Sequence, residues 1–307
     1  MNKVGICQRG GAVNSFPERW LSILLLSGVL WLTACKEVKV APQIRVVSPE
    51  PTIPFAVDTP QVSLQSGLYQ EVKPDGAAHF SYSADNVIYR NGSSFAYAYV
   101  YIENKDSLLF TLKKGKPGEN ALEWDFTAFH KPTDSTVTHI KLTPEIYSTA
   151  LGANYPQTVI RYDYWGKENR LIGGEMTGLI ENYKNVWMHP PREFLFKILQ
   201  LNPFPFIQAP YEVGNTWEGE LAIGSHWRDK RWRVWEKSVK NRFQYKITDQ
   251  VIYQAAIGSV ECFVVEATGK SELGLTRLKA WFSPSEGFVE LAYQNINGSE
   301  LVLKRVW

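Results

Sequence analysis

Three groups of side chains could carry chemistry in this 307-residue chain. The first is an aromatic stripe, Phe95 with Tyr97, Tyr99 and Tyr101, spaced by two. Such a stripe is either a strand face packed in a core or the wall of an apolar pocket, where rings give contact area and hydroxyls give orientation. The second is the rigid corner His189-Pro190-Pro191-Arg192. There Arg192 either pairs with a carboxylate of its own chain or is offered to an anionic group at a pocket mouth. The third runs from His226 to Arg242, HWRDKRWRVWEKSVKNR. Between Arg228 and Arg242 it holds seven Lys or Arg and two acids, and Arg228, Arg231 and Arg233 are interleaved with Trp232 and Trp235. It reads either as a strand with a solvated basic face or as a basic-aromatic surface for an anionic envelope polymer or lipid.

Motifs of known catalytic chemistry do not occur. The sequence has no H-E-x-x-H, G-x-S-x-G, S-x-x-K, phosphate loop or dinucleotide fingerprint. The histidines at 79, 130, 139, 189 and 226 lack the spacing of a zinc site, and no calcium loop appears. The expectation is therefore a non-enzyme without cofactor or metal, although a hydrolase with a dispersed site would leave no local mark. Cys262 lies in Val260-Glu261-Cys262-Phe263-Val264-Val265, the pattern of a core strand. No neighbour there would lower its thiol pKa, so a structural role is expected.

The N-terminus has a chemistry of its own. Lys3, Arg9 and Arg19 precede an uncharged run, Leu21 to Leu32. Twelve helical residues span about 18 Å, short of the ~30 Å of a bilayer core. A basic lead, a short apolar run and small residues make a secretory signal. Leu32-Thr33-Ala34-Cys35 resembles the lipobox of bacterial lipoproteins. That resemblance implies diacylglycerol on the Cys35 thiol, cleavage before Cys35, and acyl chains enough for a stable membrane anchor. Lys36 stands where an Asp would imply inner-membrane retention, so the outer membrane is expected. Removing Lys3, Arg9, Arg19 and Glu18 with the leader leaves 30 basic and 30 acidic residues. A neutral body offers no global field for nucleic acid, and none is expected as a partner.

The elements that must position these groups are strands. From about residue 66 the pattern has period two, which places alternate side chains on opposite faces. Strand candidates run over 95–102, 107–112, 121–129, 136–142, 158–165, 170–181, 241–253, 259–266, 275–282, 288–294 and 301–306. A turn at Glu103-Asn104-Lys105-Asp106 and the pair Asn297-Gly298 mark hairpins. Only Glu193 to Leu201 could form two helical turns. The fold class expected is all-β, an antiparallel sandwich or barrel-like sheets with little helix.

Four segments are expected: a signal peptide at 1–34, a proline-rich tether at 35–60, an N-terminal β unit with a proline-rich crossover at 61–205, and a C-terminal β module at 206–307. That last part, with Tyr211-Glu212-Val213-Gly214-Asn215-Thr216-Trp217, then Ile257 to Cys262, then Trp281 to Val289, resembles a β module of uncharacterised exported bacterial lipoproteins. The resemblance implies a β fold and no particular activity. The function read from all this is an exported, lipid-anchored envelope protein with a scaffold or binding role. The alternative is a carrier or sensor that encloses a hydrophobic ligand.

The lipid site is directly testable. Cys35→Ser should leave an unprocessed precursor that takes up no labelled palmitate. Normal labelling of that variant would remove the lipoprotein assignment.

Overall fold

A computed structural model describes the backbone of residues 61–65 and 69–73 and the full chain at 86–114, 122–145 and 157–307. The leader, Cys35 and the tether at 35–60 lie outside the described residues. β1 (Gln61–Gln65) and β2 (Tyr69–Lys73) pair as an antiparallel two-stranded sheet.

The remaining strands are β3 (Phe95–Glu103), β4 (Asp106–Lys114), β5 (Leu122–Ala128), β6 (His139–Pro144), β7 (Thr158–Trp165), β8 (Leu171–Glu181), β9 (Asn185–Met188), β10 (Phe206–Gln208), β11 (Thr216–Ile223), β12 (Val239–Ala255), β13 (Gly258–Ser271), β14 (Gly274–Ser283), β15 (Gly287–Gln294) and β16 (Glu300–Arg305). All of them join one antiparallel sheet in the order β10-β9-β8-β7-β6-β3-β16-β15-β14-β13-β12-β11. The fold is all-β, and the twelve-strand path is a nearly closed, barrel-like sheet. The β4–β5 hairpin joins from the side, because β3 pairs with β6 over Phe95–Ala98 and with β4 over Tyr101–Glu103.

Alternation places the core. Along β12, Val239, Asn241, Phe243, Tyr245 and Ile247 are buried while Lys240, Arg242, Gln244 and Lys246 are exposed. A bulge between Ile247 and Asp249 then shifts the register against β13. The Asn104–Lys105 turn has positive φ at both residues, 52° and 74°, as a two-residue hairpin whose twist matches its strands requires. The Asn297-Gly298 hairpin is wider than its dipeptide suggests. It spans five residues, closed by Asn295 N–H on the Ser299 carbonyl at 2.8 Å. Gly287 turns β14 into β15 at φ +76°, and an added Cβ there would sit 2.5 Å from the buried Tyr89 hydroxyl.

One sequence expectation is corrected and one is met. The segment from His226 onward is not a strand before Val239. A short 3-10 turn at Ser225–Trp227 leads into a tight hairpin closed between Asp229 and Arg233. The helical candidate at 193–201 is a helix of the 3-10 type, Phe194–Leu201, with Leu195, Phe196, Ile198, Leu199, Gln200 and Leu201 buried. Two of its three faces, Leu195-Ile198-Leu201 and Phe196-Leu199, are apolar and buried, while the third carries the partly exposed Phe194 and Lys197, so the helix lies with its apolar faces inside the sheet. Phe196 stacks near Tyr164 at 5.4 Å and meets Tyr99 and Phe110 edge-on at 4.8 and 4.6 Å. At its far end the Leu201 carbonyl accepts from Asn241 Nδ2 of β12 at 2.8 Å and from Thr276 Oγ1 of β14 at 3.1 Å. The segment thus bridges the interior from β3, β4 and β7 to β12 and β14.

Cys262 lies on the other face of the sheet, in a small second core with Val260 and Val289, covered by Val251, Tyr253 and Trp281. Burial first, and Glu261 second, push its thiol up to about 12. Alkylation of native protein should therefore be slow and become fast in denaturant. Cys262→Ser should cost on the order of 1–3 kcal/mol by burying a hydroxyl without a partner. Rapid labelling of native protein by a bulky maleimide would contradict this placement.

Candidate functional site

The register brings one set of connections to a single end of the sheet. These are the turns Asn104–Lys105, Glu272–Leu273 and Asn295–Ser299, and the long connection from Ile223 to Val239. The sequence-derived candidates divide between this mouth and the interior behind it.

The tyrosine stripe faces inward. Tyr97, Tyr99 and Tyr101 are buried at 2–3% exposure. Tyr97 donates to the Phe288 carbonyl at 2.8 Å. Tyr99 donates to the Val137 carbonyl at 3.0 Å and accepts from the Phe110 amide at 2.7 Å. Tyr101 accepts from Asn297 Nδ2 at 3.1 Å and stacks on Phe126 at 4.9 Å. The rings of Tyr99 and Tyr101 pack on neighbouring aromatics, and each of the three hydroxyls has a protein partner.

The proline corner is buried as well. His189 donates its amide to the Gly178 carbonyl at 3.1 Å, and its own carbonyl accepts from Tyr162 at 2.7 Å. Its ring lies 4.8 Å from Trp187 and 5.2 Å from Phe204. Burial, helped by the charge on Arg192, pulls the imidazole well below its usual range, so it is neutral at neutral pH. Arg192 is committed to Glu175. Its amide and Nε donate to the two carboxylate oxygens at 2.8 and 3.1 Å, and Nη2 donates to the Met176 carbonyl at 3.0 Å. Tyr164 donates a very short bond to the same carboxylate. Burial raises the Glu175 pKa against the opposing pull of Arg192 and Tyr164.

The basic-aromatic segment closes the mouth. Trp232 and Trp235 are buried, and their indole N–H groups donate to the Trp227 carbonyl at 3.2 Å and the Ile223 carbonyl at 3.4 Å. Asp229 is the organising carboxylate. It takes Arg231 through the amide at 3.0 Å, Nε at 2.8 Å and Nη2 at 2.6 Å, and Lys197 of the threaded helix at 3.2 Å. Burial would raise Asp229, but these partners, Arg231 foremost, bring it down to about 2. Arg231 also donates to the Trp124 carbonyl of β5 at 2.6 Å. Arg228 and Arg233 are exposed, each with one long contact, to the carbonyls of Trp235 and Leu273 at 3.4 Å.

The fold therefore brings Trp232 against Lys197 of the threaded helix, links Arg231 to it through Asp229, buries Trp235 beside Ile223, and keeps Arg228 and Arg233 outside. His189 and Arg192 belong to a separate buried cluster. Sequence reading missed Glu175, Tyr164, Asp229 and Lys197, which hold these clusters together. The one signal for Glu175 was a charge at an inward position of a strand, between Gly174 and Met176. Among the described residues, no three His, Cys, Asp or Glu side chains converge as metal ligands.

No family model matches the chain, and no curated protein does. Solved structures give distant likenesses. A protein of Parabacteroides distasonis assigned as a lipoprotein is 11% identical, with TM-score 0.37, over 71% of this chain and 98% of its own. A Bacteroides fragilis protein assigned as exported, with a YmcC-like fold, is 10% identical, with TM-score 0.36, over 71% and 96%. The hypothetical lipoprotein YmcC of Escherichia coli is 12% identical, with TM-score 0.28, over 72% and 90%.

Substitutions in each cluster test the placement. Arg192→Met leaves Glu175 buried without its counter-charge and should cost about 3–5 kcal/mol at neutral pH. Because burial raises the carboxyl pKa, that loss should shrink as pH falls toward the ordinary carboxylate value of about 4. Adding Glu175→Gln should recover most of it. A pH-independent loss would contradict the pairing. Trp232→Ala or Trp235→Ala should each cost about 3–5 kcal/mol in chemical unfolding, as large core aromatics do, and a loss under 1 kcal/mol would place the ring outside.

Proposed function

We propose that the chain is an exported envelope lipoprotein, anchored through Cys35 at the outer membrane, whose β body has a non-catalytic scaffold or binding role. The observation that carries this reading is the threaded segment at 194–201. A carrier needs an enclosed apolar chamber of roughly 300–1,000 Å³. Here the chain's own Phe196, Leu199 and Leu201 lie inside the sheet, and Tyr99 and Tyr101, which could have lined a chamber, are packed on Phe110, Phe126 and Phe196. Self-filling of this kind supports a body that binds on its outside.

The polar residues of the interior support the same reading over a hydrolase. His189 stands against aromatic rings and neutral, Glu175 is neutralised by Arg192, and the Cys262 thiol is held protonated in its own small core. A nucleophile and its base need hydrogen-bond reach of each other; the thiol lies on the other face of the sheet from His189 and Glu175, and the Glu175 carboxylate is already taken by Arg192 and Tyr164.

Native mass spectrometry of protein purified from its host, with lipid removed, tests the proposal. The expected spectrum contains the mature chain alone or with a protein or polymer partner. A stoichiometric hydrophobic small molecule retained by the chain would overturn it in favour of a carrier.

A further inference from the structure

The seven cations between Arg228 and Arg242 are not equivalent in the folded chain. Arg231 is bound to Asp229, while Lys240 and Arg242 share Glu220 at 2.5 and 3.1 Å. Arg228, Lys230, Arg233 and Lys237 have no carboxylate within ion-pairing distance among the described residues, and all four are exposed. The exposed acid among them is Glu236. They therefore leave excess positive charge on one connection of a chain whose mature charge is zero.

That connection is held in shape. Asp229 and Arg233 exchange backbone bonds, each at 3.0 Å, and the two tryptophans pin the segment from below. Charges presented on a fixed frame lose little freedom when they meet a ligand. Arg228 and Arg233 each spend one N–H group on a carbonyl, and the rest of each guanidinium fork remains for a carboxylate or phosphate.

We propose that the 224–238 connection is a recognition surface for an anionic polysaccharide, contacted by Arg228, Lys230, Arg233 and Lys237. This rests on the reading of the body as an external binder. It differs from a membrane-contact segment in one respect. Binding to a bilayer interface needs buried apolar area as well as charge, and here Trp232 and Trp235 are turned into the protein. Of the large side chains in the connection, Val234 is the apolar one left well exposed, at 65%. A hydrated polymer asks only for charge and hydrogen-bond donors, which this surface offers.

The test uses the mature chain with Cys35→Ser, produced without its leader. Its binding to polygalacturonate, to uncharged dextran and to phosphatidylglycerol vesicles is measured at low and high salt. Polygalacturonate should bind and dextran should not. The affinity should fall at least about tenfold between 0.02 and 0.5 M salt, as screening requires. Replacing Arg228, Lys230, Arg233 and Lys237 together by Gln should abolish binding with unfolding unchanged, because exposed charges add little stability. Lys240→Gln with Arg242→Gln removes charge from the same stretch and should leave affinity within about twofold, since both are already paired. Three results would each overturn the proposal: no polymer binding at low salt, equal losses in the two variants, or vesicle binding tighter than polymer binding. None of these alters the native mass spectrum, so failure here is separable from failure of the external-binder reading.

Discussion

The structure depends on one segment placed inside its own sheet. A closed sheet of about eight strands is filled by the side chains of its strands, whereas sheets of sixteen or more enclose a water-filled channel. A twelve-strand path lies between these limits and leaves a lumen that strand side chains alone do not fill. The chain supplies the missing volume between β9 and β10, where Phe194–Leu201 runs through the interior. Its backbone would be unsatisfied there without partners. The Leu201 carbonyl is satisfied by side chains of β12 and β14, and Asn202 Nδ2 by Asn295 Oδ1 of the β15–β16 turn at 2.9 Å. Asn241 and Thr276, polar residues at inward positions, thus serve the interior segment.

The mouth inherits its order from that segment. Lys197 projects from the helix to Asp229 and lies over the Trp232 ring at 5.5 Å. Phe194 stacks on Trp124 at 3.9 Å, and the Trp124 carbonyl receives Arg231. The interior helix, the β5 strand and the 224–238 connection therefore form one set of contacts. At the opposite end, the Glu181 carboxylate accepts the amides of Val87, Ile88 and Tyr89, each at 2.8 Å. At each end one carboxylate gathers several donors: Glu181 takes three amides of a neighbouring connection, and Asp229 takes Arg231 of its own hairpin and Lys197 of the helix.

Much of the sheet was legible because its longer strands are alternating or near-continuous apolar runs bounded by turn residues. The candidates at 95–102, 158–165, 275–282 and 288–294 fall on β3, β7, β14 and β15 within a residue or two. β9 and β10 were lost because they are short and buried throughout, so Asn185–Met188 and Phe206–Gln208 show no alternation among the prolines around them. The stretch around Trp232-Arg233-Val234-Trp235 was misleading for a different reason. Its charges and rings are interleaved, yet Asp229 folds it into a hairpin and both rings, three residues apart, are buried against the connection's own carbonyls. The site clusters were the least legible part. Arg192 was visible as a charge in search of a partner, but Glu175 is seventeen residues away and a strand apart. Nothing local joins them; the thread between β9 and β10 does.

Amide hydrogen exchange along residues 194–205 tests the central claim most directly, because exchange reports the free energy of opening each segment. If the segment fills the sheet, the amides of Phe196 and Asn202, bonded to the Glu193 and Leu199 carbonyls at 3.0 Å, should exchange only with the global unfolding that releases β12 and β14. Exchange of those amides at the rate of an exposed turn, such as the β12–β13 turn at Gly258, would mean that the sheet stands without its thread, and the account would fail.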